Sequence, residues 1–418
     1  MSRSLWSRAR GVGVRLATDG TPRGAPPGGT GPTRISAGIR HRGSGRRAPG
    51  DPFGGPGSAC TSGMSETGWI RSDSAGRERD EGLVERAARE HAEQSALPVP
   101  RPHAQFSSGR PHAAVVVDSD DAILAAAVPF LEAGLAAGDT TALACPAATA
   151  ELIAGALGLR AGAVQNHPRI CLLDTRAPDA MTVTRRLLEQ ARGTGSGWVR
   201  LVGEVQFGEQ PRTWREGMRY EAMRNVLLAG QPIAGLCLYD VRVLPEAVLD
   251  SARATHPELL VGGVRRGNPE FADPTDFLRR LPVPREPMEA TPPLLDIPAA
   301  TALADLRHRL GAALAAHVAD ADLAGDLHLA VSEVAANAFR HGMPPVSARM
   351  WVEPGQLVCE ISDHGSGFAD PLAGFQPAHG PDLGRGGMGL WLARKLFDHV
   401  DLLPDPDGLT VRLATRIP

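Results

Sequence analysis

The chain has 418 residues, 42% of them hydrophobic, and a formal net charge of −3. Such a chain is long enough for two globular domains plus tails. Its balanced charge gives no argument for a nucleic-acid or anionic-membrane binder, and no apolar run approaches the ~20 residues of a membrane span.

Residues 1–108 are rich in Gly, Pro, Ser and Arg without sustained apolar periodicity, the signature of a disordered low-complexity tail. Residues 1–50 hold ten Arg against one acid, Asp19. A basic arm for nucleic acid or membrane would carry such charge. An unordered tail, or a start assigned upstream of a true one at Met64, accounts for it more simply. The segment has no continuous apolar core of a secretory signal. The five cysteines are odd in number and form no CxxC pair. Reduced core cysteines in a cytoplasmic protein are therefore expected.

Over 109–272 the texture changes. Apolar runs at 113–117, 141–145, 170–173, 199–202 and 233–238 read as strands buried on both faces. Ala/Leu-rich helical patterns at 122–137, 147–157, 181–192 and 212–229 alternate with them, so an open parallel α/β sheet is expected. Lys395 is the only lysine of the chain, which excludes a Walker phosphate loop here. Asp118, Glu204, Tyr239 and Asp240 fall at or just past strand C-terminal ends, the edge where open α/β sheets bind ligands; capping and turn hydrogen bonds account for them equally. His112, Cys237 and His256 are metal-ligating types, but their separation gives spacing no force. With Asp121, Tyr220, Glu221, Asn225 and Asn268, these landmarks resemble the MEDS domain, a sensory module of methanogens and methylotrophs. The resemblance implies a P-loop-like α/β fold without its phosphate loop, sensing an undefined small molecule.

Residues 273–297 are Pro-rich and read as a linker. From 298 to 418 the pattern is a helix at 299–318 with Leu303, Leu306, Leu310 and Leu314 on one face, a helix at 324–340, and strands at 347–352, 356–362 and 409–415. A helix at 388–397 precedes the last strand. This predicts an α+β sandwich.

Three segments here carry chemistry. In the first, Glu333, Asn337 and His341 are spaced i, i+4, i+8 on one helix face. A carboxylate and an amide one turn apart suit a Mg²⁺–phosphate site, with Glu333 able to accept a proton; a solvated helix face has the same pattern. In the second, Asp363, Gly365 and Gly367 follow an apolar strand, where a carboxylate can accept a hydrogen bond from an exocyclic amine and glycines let a flat base approach. A plain turn would look alike. The third, Gly384-Arg385-Gly386-Gly387-Met388-Gly389, runs into a helix, exposing N–H groups to phosphate beside a fixed positive charge; a flexible loop with a cap is the plainer account.

Together and in this order the segments resemble the N, G1 and G2 boxes of the GHKL ATPase superfamily (the Bergerat fold), most closely the anti-sigma regulatory factor serine/threonine kinases. The resemblance implies ATP and Mg²⁺ as ligands. Glu333 would be the general base and Asn337 the Mg²⁺ ligand. Asp363, Gly365 and Gly367 would form the adenine pocket, Gly384, Gly387 and Gly389 the lid and phosphate frame, and Arg385 the γ-phosphate contact. It further implies phosphoryl transfer to Ser or Thr of an anti-anti-sigma (STAS-type) partner, or capture of a sigma factor, with a homodimer compatible and neither nucleic acid nor membrane as direct partner. Two alternatives stand: a nucleotide-dependent sigma-sequestering module without kinase activity, and a histidine-kinase-like sensor. The latter needs a helical hairpin bearing an acceptor His, and 273–298 contains no His.

Overall fold

Strands too apolar for a wet face need helices on both sides, and the N-terminal region supplies them. The structure, a computed structural model, describes residues 112–365, 370–377 and 388–418. Seven strands form its first sheet: β1 (His112–Val117), β2 (Thr140–Ala144), β3 (Val164–Asn166), β4 (Val199–Gly203), β5 (Ile233–Asp240), β6 (Glu258–Val261) and β7 (Val264–Gly267). Their order is β3-β2-β4-β5-β1-β6-β7, parallel except for the β6–β7 hairpin. That hairpin turns on Gly262 and Gly263, both with positive φ, as a two-residue turn between twisted strands requires. The helices are α1 (Asp120–Ala137), α2 (Ala147–Leu157), α3 (Ala177–Arg192), α4 (Pro211–Leu227) and α5 (Glu246–Thr255).

The expected strand at 170–173 is not one. Pro168–Cys171 is a 3-10 turn, and Leu172 and Asp174 have positive φ. Pro168 has no N–H for a ladder. Ile170 and Cys171 are apolar because they plug the space beneath α3 and β4, where they are fully buried.

The region expected to be a linker is packed. Asp273 caps α6 (Pro274–Arg280), accepting from the N–H groups of Thr275 and Asp276. A turn at Pro287–Ala290 buries Met288 against Trp351, Val358 and Ala414. The second sheet is antiparallel, in the order β11-β12-β10-β9-β8. It comprises β8 (Leu295–Ala300), β9 (Val346–Glu353), β10 (Gln356–Asp363), β11 (His399–Asp405) and β12 (Gly408–Arg416). Two of these, β8 and β11, carry no strand expectation; β8 is an edge strand, where Pro298 is tolerated. On one face, α7 (Leu303–His317) and α8 (Ala321–His341) bury Leu306, Leu310, Leu314, Leu327 and Val331 against Leu357, Cys359, Ile361 and Leu413. The ninth described helix is α9 (Gly389–Leu396).

On the opposite face, alternation along β11 and β12 points Asp401 and Arg412 outward as register partners. Both are nonetheless about 1% exposed, because α4 of the first sheet lies over them. Asp401 accepts from Arg412 (Nη2 to Oδ2, 2.8 Å), Arg219 (Nη2 to Oδ1, 2.5 Å) and Arg215 (Nη2 to Oδ2, 3.3 Å). Arg412 also reaches Glu289 at 2.9 Å. Burial alone would raise the Asp401 pKa; Arg219, then Arg215 and Arg412, outweigh it and hold the carboxyl well below the usual carboxylate range.

Asp401→Asn leaves three guanidinium groups around a neutral amide, and a loss of about 3–5 kcal/mol is expected at neutral pH in chemical denaturation of the full chain. A carboxyl depressed on folding stabilises above its free value and loses that contribution as the pH falls through its folded value. The wild-type advantage should therefore persist down to about pH 3.9 and shrink only below it. A gap that already closes near neutrality would show that the carboxylate is not its source.

Candidate functional site

Helix α8 sets the frame of the C-terminal site. Asp320 caps its start, accepting from Asp322 and Leu323 N–H. Its apolar stripe faces the sheet, so Glu333 and Asn337 fall on the half-buried rim and His341 is exposed. The two rim side chains are one turn, about 6 Å, apart along the axis. Glu333 Oε1 lies 3.8 Å from Arg307 Nη2 on α7, a loose pair that local sequence spacing cannot reveal.

Gly389, the first residue of α9, sits on this rim. A Cβ there would lie 2.9 Å from Asn337 Nδ2 and 3.2 Å from Glu333 Cβ, so hydrogen is the only side chain that fits without displacement. The unsatisfied N–H groups and positive dipole end of α9 consequently adjoin Asn337.

The other end of α8 meets the second segment. Gly342 closes the helix, donating to Ala338 O at 3.1 Å, and a Cβ on it would collide with the Asp363 carboxyl. Asp363 Oδ1 accepts from Gly365 N–H at 2.8 Å. Gly365 abuts Gly342: a Cβ there would lie 2.9 Å from Asp363 Oδ1 and 3.1 Å from Gly342 Cα. The backbone of His364 donates to Met343 O at 2.9 Å, and its ring is tied to Pro345 O at 3.0 Å. Gly342 is five residues past Asn337, a rise of about 7.5 Å.

Glu333, Asn337, Asp363, Gly365 and Gly389 thus come to one rim. Gly367, Gly384, Arg385 and Gly387 lie outside the described residues. The side chain of Asn337 and Asp363 Oδ2 make no hydrogen bond to a described residue, which leaves an amide and a carboxylate oxygen for a ligand.

In the first sheet, Asp118, Glu204 and Asp240 gather at the C-terminal edge of the adjacent strands β1, β4 and β5. Asp240 is engaged by Arg242 at 2.6 Å, and Arg242 also reaches Asp120 at 2.8 Å. Glu204 keeps a buried Oε2 that meets no hydrogen-bond partner among the described residues, and burial pushes its carboxyl pKa up. Tyr239 does not join them: its ring is buried inside β5 against Phe207 and His256, with centroids 5.9 and 5.5 Å away. His112, Cys237 and His256, far apart in sequence, meet beside Glu221. Glu221 and Asn225, one turn apart on α4 and buried, were the signal that could have joined α4 to them.

Residues 111–257 match the family model described as "MEDS: MEthanogen/methylotroph, DcmR Sensory domain". Residues 298–415 match the model described as "Histidine kinase-like ATPase domain". No curated protein gives a significant match to the chain. No described helix is long and apolar enough to cross a membrane. The protein joins a MEDS sensory domain to a histidine kinase-like ATPase domain.

Proposed function

We propose that the C-terminal domain binds Mg-ATP and directs phosphoryl transfer to a Ser or Thr hydroxyl of an anti-anti-sigma partner, under control of the sensory domain. The observation that carries this reading is the seat of Gly389 on the Glu333–Asn337 face. It brings a helix N-terminus, a carboxamide and a carboxylate within about one helical turn.

The residues present fit the nucleotide. Asn337 offers a hard oxygen suited to Mg²⁺, and Asp363 Oδ2 a free acceptor suited to the adenine amine. Side chains on Gly342 or Gly365 would crowd Asp363, so both glycines keep its surroundings open to a flat base. When bound, Mg-ATP supplies the phosphoryl group and the charge neutralisation that its transfer needs. In this reading Glu333 accepts the proton of the incoming hydroxyl, and the N–H groups of α9 hold negative charge. By the resemblance, Arg385, Gly367, Gly384 and Gly387 complete the lid and the γ-phosphate contact.

The described segment ahead of the ATPase domain favours a Ser/Thr acceptor in a partner over a histidine acceptor in the same chain. Helix α6 has seven residues and no His, and the following turn is pinned by buried Met288, so the segment is no dimerising hairpin.

The direct test incubates the full chain with labelled ATP, Mg²⁺ and candidate anti-anti-sigma proteins. Acid-stable phosphoprotein is expected, whereas acid-labile product would mean a histidine kinase. Glu333→Gln should keep Mg-ATP affinity by calorimetry while lowering transfer by about 10²–10⁴-fold. If Asn337→Ala still binds a sigma factor without nucleotide, and the wild type never transfers phosphate, the protein is a sequestering module. Gly389→Val should weaken Mg-ATP binding by more than about tenfold, ~1.4 kcal/mol, through displacement of Asn337; unchanged affinity would remove the seat of α9 from the site.

A further inference from the structure

The interior of the sensory domain holds a cluster that the nucleotide chemistry does not use. His112 starts β1, Cys237 lies on the neighbouring strand β5, Glu221 projects from α4, and His256 follows α5. In the parallel register His112 pairs with Gly235, so Cys237 is its diagonal neighbour on the same sheet face. The ligand-type atoms of all four lie within 4.8 Å of one another. Glu221, Cys237 and His256 are buried, and the His112 side chain is 13% exposed.

Four of the six separations are close to those of a coordination shell. His112 Nε2 is 3.2 Å from Glu221 Oε2 and 3.3 Å from Cys237 Sγ. His256 Nε2 is 3.3 Å from Glu221 Oε2, and Cys237 Sγ is 3.8 Å from the same oxygen. Bonds of ~2.0–2.3 Å to a central zinc would set tetrahedral edges of about 3.3–3.7 Å.

Hydrogen bonds around the cluster fix which nitrogens face inward. Asn225 Nδ2 donates to Thr255 O at 2.7 Å and Glu221 O at 3.0 Å, which turns its Oδ1 to His112 Nδ1 at 3.0 Å. An amide oxygen can only accept, so His112 Nδ1 carries the proton and Nε2 presents a lone pair. His256 Nδ1 lies 3.0 Å from Ala252 O, another pure acceptor, so its Nε2 also presents a lone pair. Two lone pairs, a carboxylate oxygen and a thiol sulfur then converge on one point; the thiol has a single proton to share among them, whereas one cation would satisfy all four at once. The buried Nε2 of His256, 3.3 Å from Glu221 Oε2, meets no partner in good hydrogen-bonding geometry among the described residues. Histidines held from behind by carbonyl-type acceptors are the usual outer shell of a metal site. Arg224 stands outside, 3.5 Å from Glu221 Oε1 and 3.8 Å from Cys237 Sγ, donating to two of the ligand residues.

We propose that His112, Glu221, Cys237 and His256 bind one Zn²⁺ ion in a closed tetrahedral site. A mixed N, S and O donor set suits zinc over magnesium or calcium, and four protein ligands leave no open position, the mark of a structural site. The site ties the start of β1, β5, the middle of α4 and the end of α5 together.

The test is elemental analysis of the full chain, purified without metal resin. About one zinc per chain is expected in the wild type and background in Cys237→Ser and His256→Ala. Cys171→Ser should keep its zinc, since that thiol donates to Pro168 O elsewhere. Asn225→Ala should weaken zinc affinity by about 10–100-fold. Should the ligand variants fail to fold, wild-type chain stripped by chelator and given Co²⁺ decides the matter: tetrahedral d–d bands with a thiolate charge-transfer band are expected. A folded wild type that carries no zinc, and that neither Zn²⁺ nor Co²⁺ alters in spectrum or melting temperature, would overturn the proposal in favour of a proton-linked network. A different metal at full occupancy would overturn the assignment to zinc.

Discussion

Asp401 is a buried charge that only the joined structure can satisfy. An ionised carboxylate taken out of water costs several kcal/mol unless donors surround it. One of its arginines, Arg412, comes from its own sheet, while Arg215 and Arg219 come from α4 of the sensory domain. Alone, the ATPase sheet would show Asp401 and Arg412 to water, the ordinary condition of the second face of an antiparallel sheet. In the full chain that face is an interface, and its geometry is set by directional bonds to one side chain rather than by apolar contact that could slide.

This fixes α4, and α4 has two working faces. Arg215, Glu216 and Arg219 turn towards the ATPase sheet, where Glu216 also lies 3.4 Å from His399 Nδ1. Glu221, further along, enters the histidine–cysteine cluster of the sensory domain, and Arg224 and Asn225 flank it. Helix α9 makes a second link. It begins at Gly389 on the Glu333–Asn337 rim and carries in its last turn Lys395, whose Nζ lies 3.1 Å from Asp179 and whose carbonyl accepts from Arg176 at 2.9 Å. Arg176 also holds Asp398 at 2.8 Å. A contiguous chain of packed elements therefore runs from the sensory sheet to the nucleotide rim. A signal can move the equilibrium of that rim only by binding two arrangements of these elements unequally.

What the sequence made legible follows from the range of the interactions involved. The parallel α/β region rests on short apolar runs alternating with helical patterns, and the helices of the α+β sandwich, with the face of Glu333 and Asn337, on spacings of three and four residues; these survive in the structure. The strand expected at 170–173 fails because apolarity reports burial, not extension, and Pro168 decides the backbone. The strands β3, β6, β7, β8 and β11 escape because they are short, at edges, or as polar as they are apolar. The Pro-rich stretch reads as a spacer because its buried residues, among them Pro274, Leu278 and Met288, are few and scattered among prolines and so show no sustained period. The closeness of Asp363 to Gly342, or of Gly389 to Asn337, lies beyond local spacing altogether; only the order of three motifs carries it. Arg219 and Arg215 stand 182 and 186 residues away from Asp401, where no local pattern reaches.

The choice of charge at the joint has a mechanical consequence that extends to α9. Arg394, on that helix, is buried, with burial first and Arg219 second lowering its pKa to about 10. It donates to Ala373 O and Val400 O, each at 2.9 Å, and stacks over Phe375 at 4.1 Å. This guanidinium clips the 370–377 segment and the start of β11 to the helix whose first residue meets Asn337. Arg219, which pairs with Asp401, repels it. Any shift of α4 that loosens Arg219 from Asp401 would thus change the electrostatic setting of Arg394 as well. A cation with so little solvent around it would feel that change strongly, since weak screening inside the protein preserves interactions that water would erase. The same burial that makes the joint costly to assemble makes it responsive to small displacements of the sensory helix.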